Sequence, residues 1–360
     1  MKLRTTYNAF FLMLLCLGLC TSSFAQDEEE VDLSDLRKHD YSEVDNYVNT
    51  LDGAKFLHCA DLSRQLTDRF VKKHEKVRAI YVWMANNIKY DCKGYDKGKD
   101  LKSKDRKKWK AWLEERRGDV LSRVMRERKG LYQDYADFFK ELATLAGVDT
   151  RIIEGYGRND ESRIGRRERK YPDHSWLAVK LYDEWYLMDV VYGAGIVRCD
   201  DPTIGFQEQF TDAYFLADPI QFMYNHLPEK EDWTLVPEAY YKFNKTEFYQ
   251  LPHVWEGFYK YGIEDLNERV GVIEMPEDSV LNFVFDTQAE FDSITVVRVR
   301  KVDGEPTTEW VGSTTVEKAE DGRYSYAFSP PRRGRRYLLT IAIDGLYAIT
   351  YKIIIKPSDS

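Results

Sequence analysis

Lys129-Gly130-Leu131-Tyr132-Gln133-Asp134-Tyr135-Ala136 opens the stretch that decides the fold. From there Tyr135, Phe138, Phe139, Leu142, Ala143 and Ala146 recur at the spacing of one helix face, and Gly147 supplies a stop. Beyond it the apolar period changes to two. Ile152-Ile153, Trp176-Leu177-Ala178-Val179 and Trp185-Tyr186-Leu187-Met188 read as strands, the last two joined through a turn at Asp183-Glu184. A helix laid ahead of a short antiparallel sheet predicts an α+β core.

Working outward, Leu62, Leu66 and Phe70, then Val77, Ile80, Tyr81, Met84, Ala85 and Ile88, predict two upstream helices that break near residues 72–74. Between residues 93 and 129, 15 Lys/Arg stand against 7 Asp/Glu, a local net of +8. Trp109, Trp112 and Leu113 give that stretch one apolar edge, so it reads as part helix and part loop, with a solvated basic face. Residues 200–262 carry many aromatics and Pro at 202, 219, 228, 237 and 252, the pattern of an ordered but irregular segment wrapped on the core. From about Val270 the runs 281–285, 294–300, 324–328, 337–343 and 348–355 alternate with Asp-Gly and Pro-Pro breaks and predict an immunoglobulin-like β-sandwich. The chain then divides into a signal peptide (1–25), an acidic leader with an N-terminal helix (26–70), a core (71–237), a connector packed on it (238–265) and the sandwich (266–357).

Composition bounds the function. Of 360 residues, 43% are hydrophobic and 14% aromatic, which excludes global disorder, and 8 Trp with 25 Tyr excludes a simple coiled coil. Lys+Arg at 53 against Asp+Glu at 61 speaks against general nucleic-acid binding, which needs a positive field. Lys2, Arg4 and the apolar run of residues 10–19 read as a secretory signal too short to span a bilayer, with cleavage expected after Ser23-Phe24-Ala25. Lipid attachment at Cys20 is the less favoured outcome, because Leu19 stands where a small residue is expected. The expected destination is periplasmic, cell-surface or secreted, at a mature charge of about −10 (51 basic against 61 acidic residues). Cleavage leaves Cys59, Cys92 and Cys199, so at most one disulfide forms; the simplest reading makes all three buried or weakly exposed thiols. No CxxC and no Cys/His cluster has zinc-ligand spacing, so neither a structural metal nor a cofactor is expected.

Three segments in order, residues 129–136, His174-Ser175-Trp176 and Trp185-Tyr186-Leu187-Met188-Asp189, resemble the transglutaminase-like superfamily, whose core has the papain-like fold. The family pattern is Gly-Val-Cys-x-x-Tyr-Ala opening a helix, His-x-Trp opening a strand and Trp-x-x-x-Asp on the next. Residues 79–91 are similar to the helix that precedes this core. Asn225-His226-Leu227-Pro228-Glu229 and Trp233-Thr234-Leu235 resemble the branch related to kyphoscoliosis peptidase, which often carries a β-sandwich after its core.

The resemblance implies a thiol activated at a helix N-terminus, a histidine that takes its proton, and a carboxylate that orients the ring. His174 matches the base and Asp189 the carboxylate. Tyr132 stands at the nucleophile position, and no cysteine lies between Cys92 and Cys199 to replace it. A phenol is neutral at pH 7 and its ring fills the space a substrate carbonyl needs, so thiol-dependent acyl transfer is not expected. On residue patterns alone, His174 also reads as a strand-end histidine bonded to a carbonyl and Asp189 as a hairpin cap. The turn at Asp183-Glu184 would set Asp189 opposite Ala178, too far from His174 for contact without a bulge.

The leading expectation is therefore an exported pseudoenzyme that binds a peptide, glycan or cell-envelope polymer, with Tyr132, Trp176, Arg166, Arg167 and Arg169 as ligand contacts. Positive charge on the sequence flanks of the helix and strand favours an anionic ligand. The alternatives are an active protease or acyltransferase that uses a displaced nucleophile with His174 and Asp189, and a structural protein whose contact surface is the C-terminal sandwich. The sequence names no oligomeric state.

Overall fold

The computed structural model describes residues 36–357 except 52–55, 57, 202, 204, 278, 303–304, 316–317, 319–321 and 330–335. The expected signal peptide, Cys20 and most of the acidic leader lie outside the described residues. Three helices come first: α1 (Ser42–Asn49), α2 (Cys59–Thr67) and α3 (Lys73–Asn87). Residues 77–85 of α3 are all buried, so this helix is a central post wrapped on every side rather than an amphipathic surface element. Even Arg78 is enclosed, its guanidinium held by Asp45 at 2.6 and 2.8 Å and by Asp212 at 2.5 Å.

Strand β1 (Lys89–Tyr90) pairs in parallel with β2 (Lys129–Gly130), and the residues between them leave and return as one excursion. That excursion is α4 (Cys92–Lys104), α5 (Arg106–Gly118) and α6 (Val120–Glu127), more helical than the mixture of helix and loop expected. Asp91 caps α4 and Asp105 caps α5 through their side-chain oxygens, which supplies the starts that charge counting overlooks. Then comes α7 (Tyr132–Leu145). Gly147 stops the helix as expected: it takes φ +78°, and the N–H groups of Gly147 and Val148 return to the carbonyls of Thr144 and Ala143, a Schellman motif.

The apolar face of α7 packs on an antiparallel sheet of order β5-β4-β3-β8, formed by β3 (Thr150–Gly157), β4 (His174–Leu181), β5 (Glu184–Met188) and, further along the chain, β8 (His226–Pro228). Between β5 and β8 lie α8 (Val190–Ala194), the hairpin of β6 (Gly195–Arg198) and β7 (Gly205–Glu208), and α9 (Pro219–Phe222). The segment expected to be irregular thus holds several short elements.

Past β8, α10 (Lys245–Gln250), β9 (His253–Val254) and α11 (Glu256–Lys260) lead into a strand-rich region. Its strands are β10 (Val272–Pro276), β11 (Leu281–Phe285), β12 (Ser293–Val302), β13 (Glu305–Thr315), β14 (Tyr324–Phe328), β15 (Arg336–Ile343) and β16 (Leu346–Lys356). One sheet runs β10-β16-β15-β12-β13 and a second pairs β11 with β14, the arrangement of a sandwich. Inward side chains of both sheets, such as Phe283, Phe285, Phe328, Leu339, Ile341 and Tyr351, share one core with Phe248, Phe258 and Tyr156 from upstream. Strand β9 itself pairs with β16 at Val254↔Ile349 and His253↔Thr350. The chain before residue 266 therefore contributes directly to this sheet. Overall the protein is a mixed α+β structure followed by strands.

Candidate functional site

The hairpin β4–β5 builds the site. Its turn is Tyr182-Asp183, both at positive φ (+48° and +70°), the paired left-handed conformation of a two-residue hairpin loop. The expected turn at Asp183-Glu184 was one residue late. The observed register pairs Leu177 with Met188 and Leu181 with Glu184, so Asp189 follows on the face of Trp176, two residues from His174 instead of four. Chain reversal into α8 then closes the gap, and His174 Nε2 donates to Asp189 Oδ2 at 2.6 Å.

Asp189 serves two structures at once. Its Oδ1 accepts the N–H groups of Val191 (2.8 Å) and Tyr192 (3.2 Å) as the cap of α8, and its Oδ2 accepts from His174 and from His226 Nε2 at 2.9 Å. The capping reading and the family-implied pairing are both met by one side chain, while the reading of His174 as bonded to a backbone carbonyl is not. Tyr192, carried by α8, stacks on the His174 ring at 4.6 Å and 15°. A side chain at Gly157 would leave no room for this stack: a Cβ there lies 2.6 Å from the Tyr192 hydroxyl and 2.9 Å from His174.

All three members are buried. Burial alone would raise the Asp189 carboxyl, but the charge and hydrogen bonds of His174 and His226 outweigh it and hold the group well below the usual carboxylate range. His226 is pushed the other way: burial lowers it to about 4 despite the carboxylate, so it is neutral at pH 7. It lies flat on Phe222 at 3.7 Å, with Nδ1 3.2 Å from the Phe222 carbonyl. The three groups converge closely enough to be considered for a metal. Both histidine nitrogens, however, already address one carboxylate oxygen at hydrogen-bond length, so the trio is satisfied by its own bonds.

Across from His174 stands the start of α7. Asp134, in its first turn, bonds back to the Leu131 N–H at 2.7 Å and is itself gripped by Arg116 (2.6 Å) and Arg123 (2.7 Å). Arg116 continues to Asp91 at 2.9 Å. Two of the most enclosed cations of the basic excursion thus serve to fix α7. Tyr132, the first residue of α7, meets the His174 ring edge-on at 5.8 Å between centroids. Its hydroxyl finds no hydrogen-bond partner among the described residues; the contact with His174 is ring against ring. Burial pushes the phenol up to about 12.

Tyr132 and His174 line a pocket with Tyr90, Tyr95, Tyr192 and Asn159. The void is small, about 60 Å³, room for one or two waters, so a larger ligand would rest on the mouth. Its charged lining is Arg163, Arg169, Asp173 and Asp200, two of each sign, and Arg169 is tied to Asp173 at 2.6 Å. The expected anionic preference loses its basis here, because the cations are matched within the lining. Arg166 and Arg167 are exposed outside it, Arg166 bonding the Ser162 carbonyl at 2.9 Å. Trp176 is 1% exposed, packed between Phe222 and His226, and reaches no ligand position. Of residues 93–129 only Tyr95 reaches the lining.

Cysteine placement also differs from the reading of three separate thiols. Cys92, at the start of α4, and Cys199, in the pocket wall, form a disulfide, and half-buried Cys59 remains free. The groups at the site that sequence reasoning passed over are His226, Tyr192 and Asn159, whereas Arg163, of the basic cluster just before His174, does reach the lining. No spacing rule reaches His226, 37 residues beyond Asp189; the Asn225-His226 segment stood out only through the family resemblance.

Residues 60–190 match the family model of the transglutaminase-like superfamily. Kyphoscoliosis peptidase of Mus musculus is 29% identical over 198 residues, 52% of this chain and 27% of that protein. The Homo sapiens protein of that name is 30% identical over 182 residues, 49% of this chain and 25% of its own. Hillarin of Drosophila melanogaster is 27% identical over 235 residues, 61% of this chain and 25% of its own. The chain therefore spans about a quarter of these relatives. Residues 60–190 thus carry a transglutaminase-like domain, and the relatives are consistent with the branch of kyphoscoliosis peptidase.

Proposed function

We propose that the protein is an exported, catalytically silent transglutaminase-like module that binds a neutral polar chain, a peptide or a glycan, across the mouth of the Tyr132–His174 pocket. One observation carries the reading: the group at the head of α7 facing His174 is a phenol, held neutral by burial, where the family places a thiol. Asp189 still orients His174, so the base is retained without a nucleophile to serve. Tyr95 and Tyr132 bring aromatic rings with polar tips to the lining and Asn159 adds an amide, groups that suit sugar rings or peptide planes. Export rests on Lys2, Arg4 and the apolar run after them. Among the described residues no helix is long and apolar enough to cross a membrane.

A second reading has one observation in its favour. Cys199 lines the same pocket as His174, so reduction of its bond to Cys92 would release a thiol there, a displaced nucleophile. The two readings part in one assay of amine incorporation and peptide hydrolysis with and without dithiothreitol. Background rates in both conditions support the silent module. Turnover that requires the reductant and disappears in His174→Ala and Cys199→Ser supports the displaced thiol. Ligand binding is read on glycan and peptide arrays with wild type and Tyr132→Ala; the balanced lining predicts affinity that changes little with salt.

A further inference from the structure

At the opposite end of the β4–β5 hairpin, the fold gathers three ligand-type side chains that no sequence spacing connects. His39 lies in the turn before α1, and His74 and Glu75 lie in the first turn of α3. One ring nitrogen of each histidine and a carboxylate oxygen of Glu75 all fall within 4.8 Å of one another. The two rings meet edge to face at 4.9 Å. His74 is fully buried, and its Nδ1 sits 3.0 Å from the hydroxyl of Tyr182 at the hairpin turn. Its other nitrogen, Nε2, has no hydrogen-bond partner among the described residues. A buried imidazole nitrogen left unpaired is uncommon and costly, and calls for an explanation.

We infer that His39, His74 and Glu75 form a site for a borderline divalent transition-metal ion of the zinc type, with a water as the fourth ligand. Two imidazoles and a carboxylate are a donor set such ions accept, and nothing in it requires a thiolate. In the tautomer the site needs, Nδ1–H donates to the Tyr182 hydroxyl and leaves the Nε2 lone pair for the ion, so that Tyr182 plays the outer partner that metal-bound histidines use to fix the ring. Lys72 opposes a cation here and Glu75 offsets it. Bonds of about 2.0–2.1 Å would bring the nitrogens to roughly 3.3 Å apart, a small closure that the half-buried His39 ring can make by rotation. Along β4 this site stands roughly 23 Å from His174, at about 3.3 Å per residue, and so is separate from the pocket.

The test is calorimetric titration of the full chain with Zn²⁺, alongside His39→Asn, Glu75→Gln and Tyr182→Phe. His39 is not buried, so its replacement leaves the fold intact, which circular dichroism checks. The expected result is one equivalent bound by wild type, at least tenfold weaker binding in His39→Asn and Glu75→Gln, and a smaller loss in Tyr182→Phe. Zn²⁺ raises the melting temperature of wild type and leaves that of His39→Asn unmoved, and Co²⁺ gives a visible absorption band of a four-coordinate site. No binding, or binding indifferent to His39→Asn and Glu75→Gln, overturns the site. So does binding lost in His226→Asn instead, which would put the ion on the Asp189 trio.

Discussion

The two walls of the pocket follow opposite designs. On the strand wall each polar atom of Asp189 has a partner, and two histidines and a helix start depend on it. On the helix wall Tyr132 presents a hydroxyl with no partner among the described residues, on a helix end whose own anchor, Asp134, is tied by two arginines. One wall is internally satisfied, and the other ends in a polar group with no partner among the described residues, in the lining of the pocket. That contrast teaches where substitutions will register as stability and where as binding.

The sharpest way to break it is Asp189→Ala, which strips a cap and leaves two buried histidines facing a void. Loss of about 3–5 kcal/mol is expected, as for a broken buried hydrogen-bond network that also caps a helix, read as the shift in urea midpoint. A change below 1 kcal/mol would show that the strand wall is not interlocked as described. Gly157→Ala comes next, at about 1–3 kcal/mol, because its methyl must displace Tyr192 or His174. A crystal structure of that variant with both rings unmoved would contradict the close approach.

Acid sharpens the comparison further. His226 binds its proton less readily folded, at about 4, than unfolded, at about 6.5. The unfolded chain therefore takes up protons first, and the His226 contribution, complete above pH 6.5, is lost as pH falls toward 4. Asp189, also lowered in the folded state, adds stability above its unfolded value near 3.8 and withdraws it below. Melts of His226→Gln across pH 4–7 should show a shallower slope than wild type; equal slopes would remove His226 from the account. The smallest effect belongs to the other wall. Tyr132→Phe deletes a hydroxyl without a partner and should change stability by no more than about 0.5 kcal/mol, while weakening the array signal.

Much of this was legible in order and type, less in register. Periodicity located α7 and its end at Gly147, and the strand runs 281–285 and 324–328 coincide with β11 and β14. Strands β10 and β13 were passed over; Glu305–Thr315 in particular is rich in polar residues and lacks a clean alternation. The His174–Asp189 contact was out of reach of spacing because it hangs on one residue of turn placement. Tyr182 at positive φ is not a residue the usual hairpin preferences single out. His226 was hidden for a different reason: it arrives from a segment 37 residues beyond Asp189, and only packing brings it in. Charge counting misled most, since a run of basic residues says nothing about which of them, like Arg116 and Arg123, turn inward to a carboxylate.

The Cys92–Cys199 bond has a topological consequence. Its two ends are 107 residues apart, and the covalent ring they close contains Tyr132, Gly157, His174, Asp189 and Tyr192. Closing a loop of about 100 residues removes enough freedom from the unfolded chain to be worth about 4–5 kcal/mol in the chain-entropy account. A ring also survives a single cut. A protease that nicks the exposed basic helices α4–α6 would open the circle to a line and still leave both walls of the pocket on one covalent piece. What the bond adds is that α1, α2, α3 and Tyr90, all upstream of such a cut, stay covalently joined to those walls.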